Sequence, residues 1–174
     1  MTSALAAFNT LGDAELRSRL ASCCEAEAWV EHVLGGRPYA DENQLLAASD
    51  AATAGLDDVG LGEALAGHPR IGEQRSTHAG DHRATTWSGQ EQAGVTAAGA
   101  DLLDALESAN AEYERRFGHV YLVCASGRSA AELLDVCRAR LDNEPVTERG
   151  VVLSELGKIN RLRLGKLLSE EMTS

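Results

Sequence analysis

His68 stands in Gly67-His68-Pro69-Arg70-Ile71-Gly72, a short non-helical corner between two runs that read as helix. Proline cannot donate a backbone hydrogen bond and pushes the residue before it out of the α region, which fixes the His68 backbone as extended. Flanking glycines permit the sharp turn. A rigidly held imidazole titrating near neutrality suits proton transfer; the alternative is a loop histidine facing water.

Other groups extend the chemistry. Ser88-Gly89-Gln90-Glu91 reads as a capping box, which by itself accounts for Glu91; yet Gln92 follows directly, and a helix N-terminus there would meet an anionic ligand. His78 and His82, four apart, would face one metal on a helix, but Gly80 lies between them and the glutamate of HExxH is missing. Cys124 near His119 has the elements of a nucleophile and base without an orienting group, so a buried thiol is the better reading. Cys23-Cys24 reads as packing.

The C-terminal helix holds one anomaly. With Arg163 at 0° and about 100° per residue, Val152, Leu156, Ile159 and Leu167 all fall within about 40° of it. Arg163 is thus centred on the apolar stripe, with Arg161 on the opposite side. A guanidinium facing a core needs an internal carboxylate or an anionic ligand, unless its stem packs and its head snorkels out.

The elements that position these groups are helical. Of 174 residues 44% are hydrophobic, only 4% are aromatic and three are proline, which predicts one all-α domain over 1–174. The expected architecture is a bundle of about seven to nine helices with a long central helix and a short extended connector. Helices are expected after Asp13, from a Ser22-Glu25 capping box to about Leu34, from Asp41 to about Ala54, and from Asp57 or Asp58 to Ala66. Glu73 to Thr86 reads as a polar surface loop. The Ser88 box opens the longest periodic run, through Val95, Leu102, Leu106 and Tyr113, as the central helix. Gly94 within it either weakens the helix or lets another backbone approach. Val120–Ala125 reads as a buried extended connector whose backbone polar groups need partners. Ser129-Glu132 caps a helix to about Leu141, and Pro145 opens the last helix, to about Glu171.

A net charge of −11 and a pI near 4.8 argue against nucleic acid as partner. A small anionic substrate would need individually placed arginines. Four cysteines without CxxC spacing, no leader-like start and no membrane-length apolar run lead us to expect reduced thiols, no membrane partner and a cytoplasmic location.

In order along the chain, Phe8-Asn9, Cys23-Cys24 with Trp29, Arg37-Pro38, His68-Pro69-Arg70-Ile71-Gly72-Glu73, Ser88-x-x-Glu91-Gln92-Ala93-Gly94, Phe117-Gly118, the connector, Arg140-Leu141-x-Asn143-Glu144 and Glu155-x-x-Lys158-Ile159-x-x-x-Arg163-Leu164 resemble the OHCU (2-oxo-4-hydroxy-4-carboxy-5-ureidoimidazoline) decarboxylases. His119 and Tyr121 depart from the family's more usual apolar residues. The resemblance implies an all-α homodimer that uses no cofactor or metal and decarboxylates OHCU to (S)-allantoin in urate breakdown. It implies His68 and Glu91 as catalytic residues. Substrate would be bound by Pro69, Ser88, Gln92, Arg163 and backbone groups of Leu122, Val123, Cys124 and Ala125. The alternatives are a metal-dependent hydrolase using His68, His78 and His82, and a non-enzymatic all-α ligand-binding or dimerisation module.

Overall fold

The computed structural model describes residues 3–73 and 82–171, and among them nine helices and no strand. The chain divides into two compact units, Met1–Gly67 with Leu156–Ser174, and His68–Glu155.

The first unit contains α1 (Ser3–Thr10), α2 (Asp13–Cys23), α3 (Glu27–Gly35), α4 (Glu42–Ala54), α5 (Asp58–Ala66) and the later part of α9 (Pro145–Glu171). Asp41 caps α4 by accepting from the Gln44 N–H at 2.8 Å, and Asp57 caps α5 by accepting from the Gly60 N–H at 2.8 Å. Phe8, Trp29, Leu45 and Leu156 are buried in its core. The Asn9 amide pairs with both the N–H and the C=O of Tyr39, each at 2.9 Å. Arg37 donates to the Leu34 and Leu11 carbonyls at 3.2 and 2.8 Å and pairs with Asp13. These contacts explain why Asn9 and Arg37 occur together: they satisfy helix-end and loop carbonyls that no helix can.

The Ser22 capping box does not form. α2 continues through Ser22 to Cys23, and α3 starts at Glu27 with Ala26 as N-cap. Leu16, Leu20 and Cys23 are all buried, so burial of that stripe carries the helix through the expected start.

The second unit contains α6 (His82–Glu91), α7 (Ala100–Phe117), α8 (Ala130–Arg140) and the start of α9. Its core joins Ile71, Val95, Leu106, Tyr113, Tyr121, Val123, Leu133 and Cys137. Ser129 and Glu132 form the expected reciprocal capping box at α8. The expected loop over Glu73–Thr86 is corrected at its end: residues 82–86 are helical, because Ala84, Trp87 and Ser88 make a buried stripe at helical spacing. Positions 74–81, with His78, lie outside the described residues. Glu91 therefore ends a helix where one was expected to begin, and α7 starts only at Ala100, after turns through 92–98. The longest helix is α9, of 27 residues, rather than α7.

Candidate active site

His68 comes just after Gly67, the C-cap of α5, and is 9% exposed, so it does not face open water. Its corner is held from several sides. The side chain of Gln92 accepts from the Gly72 N–H at 2.9 Å and donates to the Arg70 carbonyl at 3.5 Å. The buried Asn110 amide donates to the Ile71 carbonyl at 2.9 Å. Arg70 makes a two-pronged pair with Glu114, at 2.5 and 2.8 Å, which holds the Glu114 carboxyl below its usual range. Gly72 has φ of +89°, which a side chain would strain.

The expected cap explanation for Glu91 fails. Ser88 lies inside α6, where its carbonyl accepts from the Gln92 N–H at 3.1 Å, so it is no N-cap. The Ser-x-x-Glu-Gln motif instead spans the last turn of α6. Ser88 and Gln92 line a cleft of about 390 Å³ together with Pro69, Gly72, Glu73, Thr85 and Val95. Three expected substrate-binding residues thus share one hollow. His68 and Glu91 are not among its lining residues.

Glu91 lies near enough to the connector for its charge to bear on the Cys124 thiol. The Cys124 thiol is half-buried rather than buried; partial burial pushes it up from its ordinary range and the nearby carboxylates of Glu155 and Glu91 add to this, which disfavours the thiolate a nucleophile needs. The His119 ring packs against Tyr113 and Phe117, at centroid distances of 5.6 and 6.3 Å, and its Nδ1 lies 3.0 Å from the Val120 carbonyl oxygen. The close approach expected of Gly94 is present, for a methyl built there would lie 2.2 Å from the Arg128 carbonyl oxygen. That contact sets the turn after Glu91 against the end of the connector. Gly94→Ala is expected to destabilise the protein by ~1–3 kcal/mol through overpacking against backbone. Gly150→Ala, inside α9 with open space, should instead be neutral or stabilising. Urea unfolding of both variants checks this; a neutral Gly94→Ala would contradict the packing.

The connector itself is anchored by residues the sequence reading left unassigned. Arg140 Nη1 donates to the Leu122 carbonyl at 2.7 Å, while Nε and Nη2 pair with Glu148 Oε1 at 2.8 and 2.5 Å. Tyr113 OH donates to the same oxygen, and Asn143 donates to Glu148 Oε2 at 2.8 Å. Arg140 also lies over the rings of Tyr113 and Tyr121, at 5.6 and 5.0 Å. Glu155 Oε2 accepts from the Cys124 N–H at 2.8 Å.

Arg163 belongs to the first unit and is 3% exposed, as its place on the apolar stripe required. Its Nη1 donates to the Cys23 carbonyl at 3.4 Å. Beside it, burial pushes the Cys24 thiol up to about 11, with the Arg163 charge opposing. Cys23 and Cys24 are therefore packing groups. Among the described residues no three His, Cys, Asp or Glu groups converge as a metal site requires, and no helix is long and apolar enough to cross a membrane.

A sequence model of the OHCU decarboxylase family matches residues 9–165. The 2-oxo-4-hydroxy-4-carboxy-5-ureidoimidazoline decarboxylase of Amia calva is 33% identical over 141 residues, 78% of this chain and 77% of its own length. The uric acid degradation bifunctional protein TTL of Arabidopsis thaliana is 27% identical over 149 residues, 86% of this chain; the match spans about half of that relative, 46% of its length. A crystal structure of OHCU decarboxylase in the presence of (S)-allantoin superposes with a TM-score of 0.72 at 24% identity, covering 91% of this chain and 99% of that one. At that identity the likeness is one of fold, and it agrees with the all-helical architecture derived from the sequence. The motif order, the helical fold and the match across both units lead to one conclusion: this chain belongs to the OHCU decarboxylase family.

Proposed function

We infer that this chain decarboxylates OHCU to carbon dioxide and (S)-allantoin in urate breakdown, without cofactor. The observation that carries the reading is the family match over 9–165. The gathering of Pro69, Ser88 and Gln92 on one cleft adds to it. The substrate carries a hydroxyl and a carboxylate on one ring carbon beside a C=N bond. As the carboxylate leaves, the broken bond's electron pair forms a carbon–carbon double bond and the imine pair moves to nitrogen, which takes a proton. The substrate is its own electron sink, so the protein supplies orientation, electrostatics and proton handling. The enol then loses its hydroxyl proton as the ureido-bearing carbon gains one from a single face.

In this reading His68 and Glu91 bind the hydroxyl and manage its proton. Gln92 and Ser88, with Pro69 and the connector backbone of Leu122, Val123, Cys124 and Ala125, orient the ring and ureido groups. Arg163 recognises anionic or polar parts of the substrate and offsets the net charge of −11. Residues 1–174 act as one catalytic domain in a cytoplasmic homodimer. The metal-hydrolase alternative rested partly on His78, outside the described residues, and the family match favours decarboxylation over it.

The test is circular dichroism of product formed from OHCU freshly made from urate, with chelator present. Rapid growth of the (S)-allantoin signal is expected. A slow, optically silent decay would overturn the reading and bring the binding-module alternative forward.

A further inference from the structure

Extended backbone turns its polar groups to alternate edges, so one residue's C=O and the N–H two residues on face the same way. The connector is held along one such edge. Leu122 gives its C=O to Arg140 and Cys124 gives its N–H to Glu155. Both holders are buried, Arg140 at 6% exposure and Glu155 at 7%. Glu148 and Glu155 lie seven residues apart on α9, which puts them on one helix face. One grips the connector through Arg140; the other does so directly. A charged acceptor makes a shorter and stronger bond to a backbone N–H than a neutral one.

We propose that Glu155 and Arg140 are positioning residues for the decarboxylation: they fix the Leu122/Cys124 edge of the connector, so that the opposite edge, with the Val123 N–H and C=O, is presented to the substrate in register with Glu91. The proposal rests on the reading of function above and divides the connector's labour. Leu122 and Cys124 polar groups anchor it, and Val123 polar groups meet the ring. A ring held in one orientation exposes one face to protonation, so a loosened connector costs handedness as well as rate.

The experiment compares wild type, Glu155→Leu and Glu155→Gln by kcat, KM, optical purity of the allantoin, and hydrogen exchange of the Cys124 amide. Glu155→Leu is expected to lower kcat/KM at least ~10-fold, as misplacement near a reacting group does, to lower optical purity, and to speed exchange at Cys124. Glu155→Gln keeps an acceptor oxygen and should recover most of all three. If Glu155→Leu does not fold, Arg140→Lys serves instead. It keeps a charge for Glu148 but loses the fork that also reaches Leu122, and the same loss of optical purity is expected. A folded Glu155→Leu with wild-type optical purity and kcat/KM overturns the proposal, as does equal loss in the Leu and Gln variants. If the wild type gives no excess of (S)-allantoin, the functional reading fails instead. Unchanged Cys124 exchange in Glu155→Leu would then still refute the anchoring.

Discussion

Replacing His68 with Ala is expected to slow the chemical step at least ~100-fold, the range over which positioned acid–base groups act. The backbone at His68 is fixed by Pro69 after it and by the bonds that Gln92, Asn110 and Glu114 make to the next residues of the corner. These bonds are made by the corner's backbone and by Arg70 rather than by the imidazole, so removing the ring leaves them in place while deleting the corner's histidine. Asn at the same position keeps a hydrogen-bonding head of similar reach but cannot exchange a proton near neutral pH, and should fall nearly as far. Because OHCU decays on its own to racemic allantoin, the decisive readout is the (S)-allantoin signal rather than substrate loss. A loss confined to kcat would place His68 in the chemical step, and one confined to KM would make it a binding group. Near-normal formation of (S)-allantoin by a folded His68→Ala variant would remove His68 from the mechanism.

Local signals gave the helices whose boundaries depend on local bonds. Asp41, Asp57 and Ser129 each cap a helix as their type and position predict, and Pro145 opens α9. The same pattern at Ser22 and Ser88 misled, because a capping box is weaker than the burial of an apolar stripe. Leu16, Leu20 and Cys23 extend α2 through one, and Ala84, Trp87 and Ser88 form α6 across the other. Correcting α6 removes the capping box as the explanation of Glu91, because Ser88 lies inside the helix that Glu91 ends. Arg163 was legible because a helical wheel needs no tertiary knowledge. Arg140 and Glu155 carried the same signal unread: Leu133, Cys137 and Arg140 fall at i, i+4 and i+7 on α8, and Glu148 and Glu155 border the α9 stripe about 60° and 80° from Arg163. What no periodicity supplies is the partner. Leu122 lies 18 residues from Arg140 and Cys124 lies 31 from Glu155, pairings fixed only when the chain is folded.

Arg140→Met is expected to cost ~3–5 kcal/mol of stability, the usual penalty for leaving one partner of a buried pair uncompensated. Glu148 is 0% exposed, and the remaining donors to it, Tyr113 OH and Asn143 Nδ2, are neutral. The substitution also strips the donor from the Leu122 carbonyl, which adds an unsatisfied acceptor. In the variant the Glu148 carboxylate is left buried without its cationic partner. Adding Glu148→Met should return most of the lost stability, because an apolar pair of similar volume replaces a buried ion pair at little cost. It cannot return the hydrogen bond to Leu122. The double variant is therefore expected to be more stable than Arg140→Met, though below wild type because the Leu122 carbonyl and Tyr113 OH lose their partners, yet to keep the low optical purity of a loosened connector. Stability and handedness part company there if Arg140 positions the connector. A single Arg140→Met variant within ~1 kcal/mol of wild type in urea unfolding would refute the buried pair as a determinant of this fold.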